Sequence, residues 1–500
     1  MNRKEFLKLS LQASIGVGLG ASYTSCQPAS ALTNQGELAH LDALALAKLI
    51  QQKAISPKEL LLATIERIEA LDHKIGAISI SDFEEAFKRA ENIDSGLPFA
   101  GIPLLLKDGT DFGNVIRPHG SRFFKNYQSK GKSPIVNKYE ALGFNFIGYS
   151  KTPEFNNTAS STEPLMSSPC RNPWNLAKSV GASSGGAAAA IAAGYVPLAH
   201  GTDGGGSLRI PASACGLFGL APSQYRMLSG QLDGGHNLFT RHHVLSRSVR
   251  DSATLFHYTQ NKNTAAALPP LPLIQQSNKK RLKIGLMDKG ALHLPLHPSV
   301  QEGLEKSTKL LQSLGHIVEP FTFDIDGVQF FKSYFILFGE KMKLLIKAVE
   351  QSSGQKAEAS KLLEPWTIKM ARNLEQYTAT DKQNALAYIT QLKREVSAVF
   401  LNYDLLMSPV MAMMPPDIGD LKLDQPYTAL YEKNISYMEY TALQNMSSST
   451  AMSIPLYWTA ENMPIGIHFA ASIGQENRLF ELAFELEAAQ PWKDKRPVLD

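Results

Sequence analysis

Cysteine is scarce in this sequence: Cys26, Cys170 and Cys215 are the only three among its 500 residues. They form no C-x-x-C pair, and no H-E-x-x-H motif occurs, so the sequence predicts neither a redox pair nor a zinc site. Long runs of lysine and arginine are also missing, and the formal net charge is only +4. Because clustered cations bind a phosphate backbone, nucleic acid is not an expected partner. No metal ion or organic cofactor is implied.

The first 30 residues differ in character from the rest of the chain. Met1–Lys8 is basic, Leu9–Ala21 is mainly apolar, and Thr24-Ser25-Cys26 follows. A basic segment before a short apolar run is typical of an export signal. The run is too short to cross a bilayer as a mature helix.

Two details refine this interpretation of residues 1–30. Arg3–Lys8 resembles a twin-arginine signal with lysine in the second basic place, and residues 24–26 resemble the end of a lipoprotein cleavage site. We therefore predict an exported protein, periplasmic or lipid-anchored in a bacterial envelope, with possible membrane attachment through lipidated Cys26. A plain cleaved signal, or a tail with no export role, is the alternative.

Helical and strand patterns alternate along the remaining chain. Ser56-Pro57-Lys58-Glu59 is typical of a helix start with a capping box. Ile102–Leu106 is an apolar run that predicts a strand buried on both faces. A helix over 134–142 and a strand over 144–149 follow it. Helix and strand in alternation predict an α/β fold with a mixed, mostly parallel sheet covered by helices on both faces.

The same patterns predict further elements beyond residue 180. Strands are expected at 281–286, 316–321, 403–407 and 464–471. Helices are expected at 187–193, 298–314, 326–350, 365–400 and 475–490. Residues 326–400 are expected to shape a substrate pocket.

A glycine cluster, Gly204-Gly205-Gly206, precedes Ser207. Residues without side chains let backbone N–H groups converge on one point and let a substrate approach closely. Converging N–H groups of this kind stabilise the oxyanion that forms when a serine hydroxyl attacks a carbonyl group. The hydroxyl also needs a base to accept its proton. A phosphate-binding loop and a purely structural turn are the alternatives. The phosphate loop is disfavoured, because no Gly-Lys-Ser/Thr continuation is present.

A second serine lies in Gly181-Ala182-Ser183-Ser184-Gly185, which matches the G-x-S-x-G nucleophile elbow. An elbow requires a strand directly before it. Residues 171–180 contain a proline and lack an apolar run, so an esterase that uses Ser183 remains only an alternative.

Several long segments together resemble the amidase-signature family. They are Gly181–Pro222, the lysine-bearing strand Gly101–Asp108, Lys151–Phe155, Asn172-Pro173-Trp174, Arg247–Asp251, Pro464-Ile465-Gly466 and Ala489–Trp492. The resemblance covers roughly residues 40–495, and it implies one large domain. We assign residues 31–500 to this catalytic domain.

The resemblance implies a Ser–cis-Ser–Lys triad. Lys107 corresponds to the base, Ser183 to the proton shuttle and Ser207 to the nucleophile. The backbone N–H groups of Gly204, Gly205, Gly206 and Ser207 correspond to the oxyanion hole. Supporting roles are implied for Ser184, Asp203 and Arg209. Burial at the end of a strand is expected to lower the pKa of Lys107 and let it act as a neutral base.

The implied activity is hydrolysis of carboxamides or small linear or cyclic amides, so the expected partner is a small-molecule amide. His243–Ser248 and His468–Ala471 are most similar to the 6-aminohexanoate cyclic-dimer hydrolase branch. Gly109 departs from the family pattern, which usually has asparagine there, and it is expected to loosen positioning near Lys107. A non-catalytic ligand-binding protein on the same scaffold is the remaining alternative.

Overall fold

The computed structural model describes residues 38–159, 161–230, 238–262, 268–421 and 424–499. The export leader predicted over residues 1–30 lies outside these ranges. Residues 36–500 form one compact unit. Within the described ranges, none of the helices is both long and apolar enough to cross a bilayer.

The strands fall into one large sheet, a smaller sheet and a hairpin. In chain order they are β1 (Ile78–Ser81), β2 (Pro103–Lys107), β3 (Asn145–Ser150), β4 (Arg171–Asn172), β5 (Asn175–Ser179), β6 (Leu198–Asp203), β7 (Phe218–Ala221), β8 (Arg241–Ser246), β9 (Lys283–Leu286), β10 (Ile317–Pro320), β11 (Leu405–Pro409), β12 (Thr450–Trp458) and β13 (Pro464–Ala471). The large sheet has the order β10-β9-β11-β13-β12-β7-β8-β6, the smaller one β1-β3-β2, and β4 pairs with β5.

The predicted mixed sheet with flanking helices is confirmed, but fewer strand pairs are parallel than the sequence suggested. In the large sheet β9 is parallel to β10 and to β11, whereas the other neighbours are antiparallel. Parallel pairing occurs where a helix connects two strands, as from β2 to β3 and from β9 to β10. The hydrophobic pattern does not predict β12. After β12 the chain reverses through residues 459–463, so that β13 pairs with β12 in the antiparallel direction.

Helices flank these sheets. In chain order they are α1 (Ala43–Gln51), α2 (Pro57–Ile75), α3 (Phe83–Ala90), α4 (Pro134–Ala141), α5 (Gly185–Ala192), α6 (Arg209–Cys215), α7 (Val249–Thr259), α8 (Pro298–Ser313), α9 (Gly327–Phe338), α10 (Glu340–Ser353), α11 (Ala357–Ser360), α12 (Pro365–Leu374), α13 (Ala379–Val399), α14 (Tyr427–Met438), α15 (Ala442–Ser447) and α16 (Glu476–Ala489). The predicted capping box at the start of α2 is present.

The two longest predicted helices are each interrupted. The segment 326–350 is split at Gly339, where an added Cβ would lie 1.9 Å from Leu374 Cδ1, so glycine permits this close packing. The segment 365–400 is split before Thr378, which forms a capping box with Asp381 and begins a new helix.

The two sheets meet at β2 and β6, which lie side by side. β2 is buried along its whole length, as its apolar sequence predicts. The N–H of Lys107, the last residue of β2, lies 3.4 Å from His200 Nδ1 on β6. This contact brings the end of β2 close to the end of β6, where the glycine cluster begins.

Candidate active site

Lys107 lies at the end of β2, and only 1% of it is exposed. Its Nζ donates to Ser183 Oγ at 2.8 Å and to Thr202 Oγ1 at 2.7 Å. Burial lowers the pKa of Lys107 well below its ordinary value; Asp203 opposes this shift and Lys341 adds to it. A neutral amine in contact with a serine hydroxyl can accept its proton.

Ser183 lies between β5 and α5, and the Ala182–Ser183 peptide bond is cis. The next residue, Ser184, holds this turn in place. Its Oγ donates to Thr202 O at 3.1 Å, and its N–H donates to Ser207 O at 3.3 Å. Ser184 therefore connects the turn to β6 on one side and to the glycine cluster on the other.

Ser207 follows the glycine cluster and shares a cavity with Ser183. Gly206 has a φ of +134°, and an added Cβ would lie 2.3 Å from Thr441 Oγ1, so this position requires glycine. Ser207 is 8% exposed, and its Oγ has no hydrogen-bond partner among the described residues. The hydroxyl is therefore free to meet a substrate.

A buried ion pair fixes the shape of the glycine cluster. Asp203 and Arg209 are both fully buried, and their side chains are joined by contacts of 2.9 and 3.0 Å. Burial raises the pKa of Asp203, but Arg209 outweighs it and holds that pKa well below its ordinary value. The carboxylate also accepts the N–H groups of Gly206 at 2.8 Å and Leu208 at 3.0 Å.

This arrangement changes the predicted oxyanion hole. The Gly206 N–H already donates to Asp203, so it is not available to a substrate oxygen. The N–H groups of Gly204, Gly205 and Ser207 donate to no acceptor in the described chain, and all three residues line the cavity. The available donors are therefore these three, and Gly206 acts by shaping the loop.

Two side chains hold the carbonyl groups of the glycine cluster. Thr441 Oγ1 donates to Gly205 O at 2.6 Å, and the Tyr334 hydroxyl donates to Gly204 O at 3.0 Å. Because each peptide plane is rigid, a fixed carbonyl fixes the N–H of the next residue. Thr441 thereby orients the Gly206 N–H, and Tyr334 orients the Gly205 N–H.

We expect Thr441→Val to lower kcat by about 10-fold, because it removes a hydrogen bond of roughly 1 kcal/mol and frees the peptide plane that orients the loop. Thr450→Val is a matched control, since the buried Thr450 also donates to a backbone carbonyl, that of Ala221 at 3.0 Å. Steady-state kinetics on one amide would compare the variants. Equal kcat values for the two variants would contradict a specific role of Thr441.

The Amidase family profile matches residues 59–480. This chain belongs to the amidase family. AmiC of Mycobacterium leprae, which carries the name of an amidase, is 32% identical across 91% of this chain and 96% of its own length. The 6-aminohexanoate-cyclic-dimer hydrolase of a Pseudomonas species is 32% identical across 92% and 96% of the two chains.

Solved structures agree with this assignment. A structure of a 6-aminohexanoate cyclic dimer hydrolase complexed with substrate has a TM-score of 0.83 and 28% identity, covering 92% of this chain and 99% of that chain. As a family member, this amidase is a hydrolase that acts on carbon–nitrogen bonds and uses serine chemistry. The alternative of a non-catalytic ligand-binding protein is therefore set aside.

The amidase does not have the architecture of an elbow esterase. A strand does precede Ser183, contrary to the expectation from residues 171–180, because β5 ends at Ser179. This strand pairs with β4 in a two-stranded hairpin, however, and not with the large sheet. The Ser183 hydroxyl contacts Lys107, which fits a shuttle better than an elbow nucleophile.

The structure explains why residue 109 is a glycine, which the sequence alone did not. Its φ is +109°, and an added Cβ would lie 2.6 Å from His119 Nε2. The imidazole of His119 thus occupies the space beside Gly109, and its Nε2 lies 3.1 Å from Asn156 Nδ2. The imidazole fills this space, so the glycine does not leave a gap near Lys107.

The remaining wall of the cavity comes from distant segments. The expectation that residues 326–400 shape the pocket is correct for the lining residues Tyr334, Phe335, Phe338 and Lys341. Sequence reasoning missed the individual roles of Thr202, Tyr334, Thr441 and Lys341. No short motif marks them, because each reaches the site from its own place in the fold.

Proposed function

We propose that this amidase hydrolyses carboxamides and small linear or cyclic amides through an acyl-enzyme on Ser207. Neutral Lys107 accepts a proton from Ser183 as Ser183 takes the proton of the Ser207 hydroxyl. Ser207 Oγ attacks the amide carbon, and the N–H groups of Gly204, Gly205 and Ser207 stabilise the oxyanion. The proton returns through Ser183 to the leaving amine. Water then hydrolyses the ester and frees Ser207.

The observation that carries this proposal is the 2.8 Å contact between Lys107 Nζ and Ser183 Oγ beside the cavity that holds Ser207. A serine hydroxyl is a weak nucleophile unless a base is connected to it. Here the amine is buried, its pKa is lowered, and the hydroxyl that it contacts lines the same cavity as Ser207.

A fluorophosphonate probe tests the assignment directly. We expect an adduct on Ser207 in the protein without residues 1–30, located by peptide mapping, because Ser207 has the accessible hydroxyl. Labelling is expected to disappear in Ser207→Ala and to slow by at least about 100-fold in Lys107→Ala.

A matched serine controls for nonspecific modification. Ser213 is also buried, and its Oγ accepts the Gly466 N–H at 2.9 Å, so Ser213→Ala is expected to label like the unaltered protein. An adduct on Ser183 in place of Ser207 would contradict the proposed roles and favour the esterase alternative.

The substrate range is also part of the proposal. Relatives in two bacterial genera are named for hydrolysis of the 6-aminohexanoate cyclic dimer. Small cyclic amides therefore belong in a substrate panel beside aliphatic carboxamides.

We further propose that residues 1–30 direct export and that Cys26 carries a lipid anchor. The support is the basic, apolar and Thr-Ser-Cys order of this segment. Metabolic labelling with palmitate is expected to mark the full chain and not Cys26→Ser. Label retained by Cys26→Ser would contradict the lipid anchor.

A further inference from the structure

Lys341 is a cation in the wall of the catalytic cavity. It is the second residue of α10, directly after the interruption at Gly339, and it lines the same cavity as Ser207. It is the only charged residue among the described residues that line this cavity. The residue is exposed, so its surface is accessible to a ligand that enters the cavity.

No carboxylate of the described chain neutralises Lys341. The neighbouring Glu340 pairs with Lys343 and Lys382 instead. The Nζ atom of Lys341 lies 4.3 Å from the centre of the Phe338 ring. An aromatic face attracts a cation but leaves its other side free for an anion.

The charge of Lys341 reaches the catalytic groups. Burial is the main cause of the lowered pKa of Lys107 and of His119, and the charge of Lys341 adds to both shifts. Desolvation lowers the pKa of Lys341 itself to about 8. Because the side chain is exposed, an anion that enters the cavity can reach this ammonium.

Part of this wall is apolar, although asparagine, serine and threonine side chains also line the cavity. Tyr334, Phe335, Phe338 and Met438 line the cavity near the glycine cluster. A hydrocarbon chain fits against these side chains, and the Lys341 ammonium beside them contacts Phe338 but no carboxylate of the described chain. A single charged side chain in such a cavity can orient a ligand of opposite charge.

We propose that Lys341 binds a carboxylate of the substrate, so that the preferred substrates are small amides joined by a hydrocarbon chain to a carboxylate. This inference rests on the proposed amide hydrolysis at Ser207. The aromatic wall accommodates the chain, and Lys341 receives its anionic end.

A different role for Lys341 would be purely electrostatic. If it served only to lower the pKa of Lys107, its removal would change the pH profile of kcat/KM for charged and neutral amides alike. A carboxylate-binding residue also changes the ratio of the KM values of an anionic substrate and its neutral partner, which an effect on Lys107 alone leaves constant. Matched substrates therefore separate the two roles.

The experiment compares isosteric pairs of four-, five- and six-carbon monoamides of dicarboxylic acids with their neutral diamides. N-acetyl ω-amino acids and the corresponding N-acetyl alkylamines place the carboxylate on the amine side instead. Initial rates of ammonia or acetate release give kcat and KM for each. The variants are Lys341→Gln, Lys341→Arg and the control Lys347→Gln, an exposed lysine on the same helix.

We expect the unaltered enzyme to have a KM at least about 10-fold lower for the acid in at least one pair, as a charge-assisted contact provides. Lys341→Gln is expected to remove this preference by raising the KM of the acid about 10- to 100-fold relative to the KM of its neutral partner. Lys341→Arg is expected to keep most of the preference, and Lys347→Gln all of it. A preference that is absent from every pair, or that survives in Lys341→Gln, would overturn the proposal.

Calorimetric titration of Ser207→Ala with the same acids measures binding without turnover. The double variant Ser207→Ala/Lys341→Gln is expected to lose the affinity for the acid. If no amide is hydrolysed but this Lys341-dependent binding is present, the proposed catalysis fails and the carboxylate site stands. If neutral amides are hydrolysed and the acids bind no better, the carboxylate site fails and the catalysis stands.

Discussion

Lys107→Met is expected to lower kcat/KM for amides by about 10²–10⁴-fold, the usual contribution of general acid–base catalysis. Methionine is unbranched and similar in length, so it fills the buried space of Lys107 without an amine. The variant cannot deprotonate Ser183, with which Lys107 Nζ makes its 2.8 Å contact.

The pH profile identifies the base more specifically than the loss of rate. Only the neutral amine accepts a proton, so activity is present above the pKa of Lys107 and falls as the pH decreases through it. Burial lowers that pKa well below the ordinary value of a lysine. The acidic limb of kcat/KM is therefore expected at a pH far below 10.5, and it is expected to vanish in Lys107→Met.

Lys151 provides a control for the effect of burial. It is 5% exposed, burial lowers its pKa, and its Nζ donates to Ser168 O at 2.8 Å, outside the described cavity wall. Lys151→Met is expected to reduce stability but to leave the acidic limb in place. An acidic limb that persists unchanged in Lys107→Met would assign the base to another group.

The sequence locates the reacting groups better than it locates their supports. Lys107, Ser183 and Ser207 stand in segments with unusual local composition, an apolar run or a glycine cluster, and the family resemblance gives them an order. Thr202 and Thr441 have no such context. Their roles arise when β6 passes Lys107 and when α15 begins beside the glycine cluster, contacts that only the folded chain creates.

The oxyanion hole illustrates a finer limit of sequence reasoning. Gly204, Gly205 and Gly206 are chemically identical, so composition cannot tell which N–H groups face the substrate. The difference comes from Asp203, whose carboxylate takes the Gly206 N–H at 2.8 Å. A hydrogen bond over three residues depends on the local φ and ψ angles, and here φ at Gly206 is +134°.

Sheet topology could be predicted only in part, for a similar physical reason. Helix–strand alternation correctly predicts the parallel pairs β2–β3 and β9–β10, because a crossover helix returns the chain in the same direction. The antiparallel centre contains strands such as β12, which has nine residues and is buried from Thr450 to Leu456 between two neighbouring strands. Their hydrophobic pattern is too weak to predict strand direction.

Arg209→Met is expected to lower the free energy of unfolding by about 3–5 kcal/mol, the range observed when one partner of a buried ion pair is removed. The variant leaves the Asp203 carboxylate buried without its guanidinium. Burial then raises the pKa of Asp203 with less opposition, and the carboxyl tends to take up a proton. A protonated Asp203 is a weaker acceptor for the N–H groups of Gly206 and Leu208.

Activity is therefore expected to fall beyond the fraction of protein that unfolds. Arg226→Met is the control, since Arg226 forms an equally buried pair with Glu476 at 3.2 Å, with side-chain exposures of 2% and 0%. Both variants are expected to unfold at lower urea concentrations. In the folded protein, however, only Arg209→Met is expected to slow fluorophosphonate labelling of Ser207, by about 10-fold or more.

Urea unfolding and the labelling rate together distinguish a loss of stability from a change in the shape of the glycine cluster. If folded Arg209→Met labels Ser207 as fast as Arg226→Met does, the Asp203–Arg209 pair serves stability alone. Arg209→Lys adds a further test, because it keeps the charge but cannot reproduce the two-point contact of the guanidinium with Asp203. Recovery of stability without recovery of labelling in Arg209→Lys would show that the orientation of the carboxylate, and not its charge alone, sets the shape of the glycine cluster.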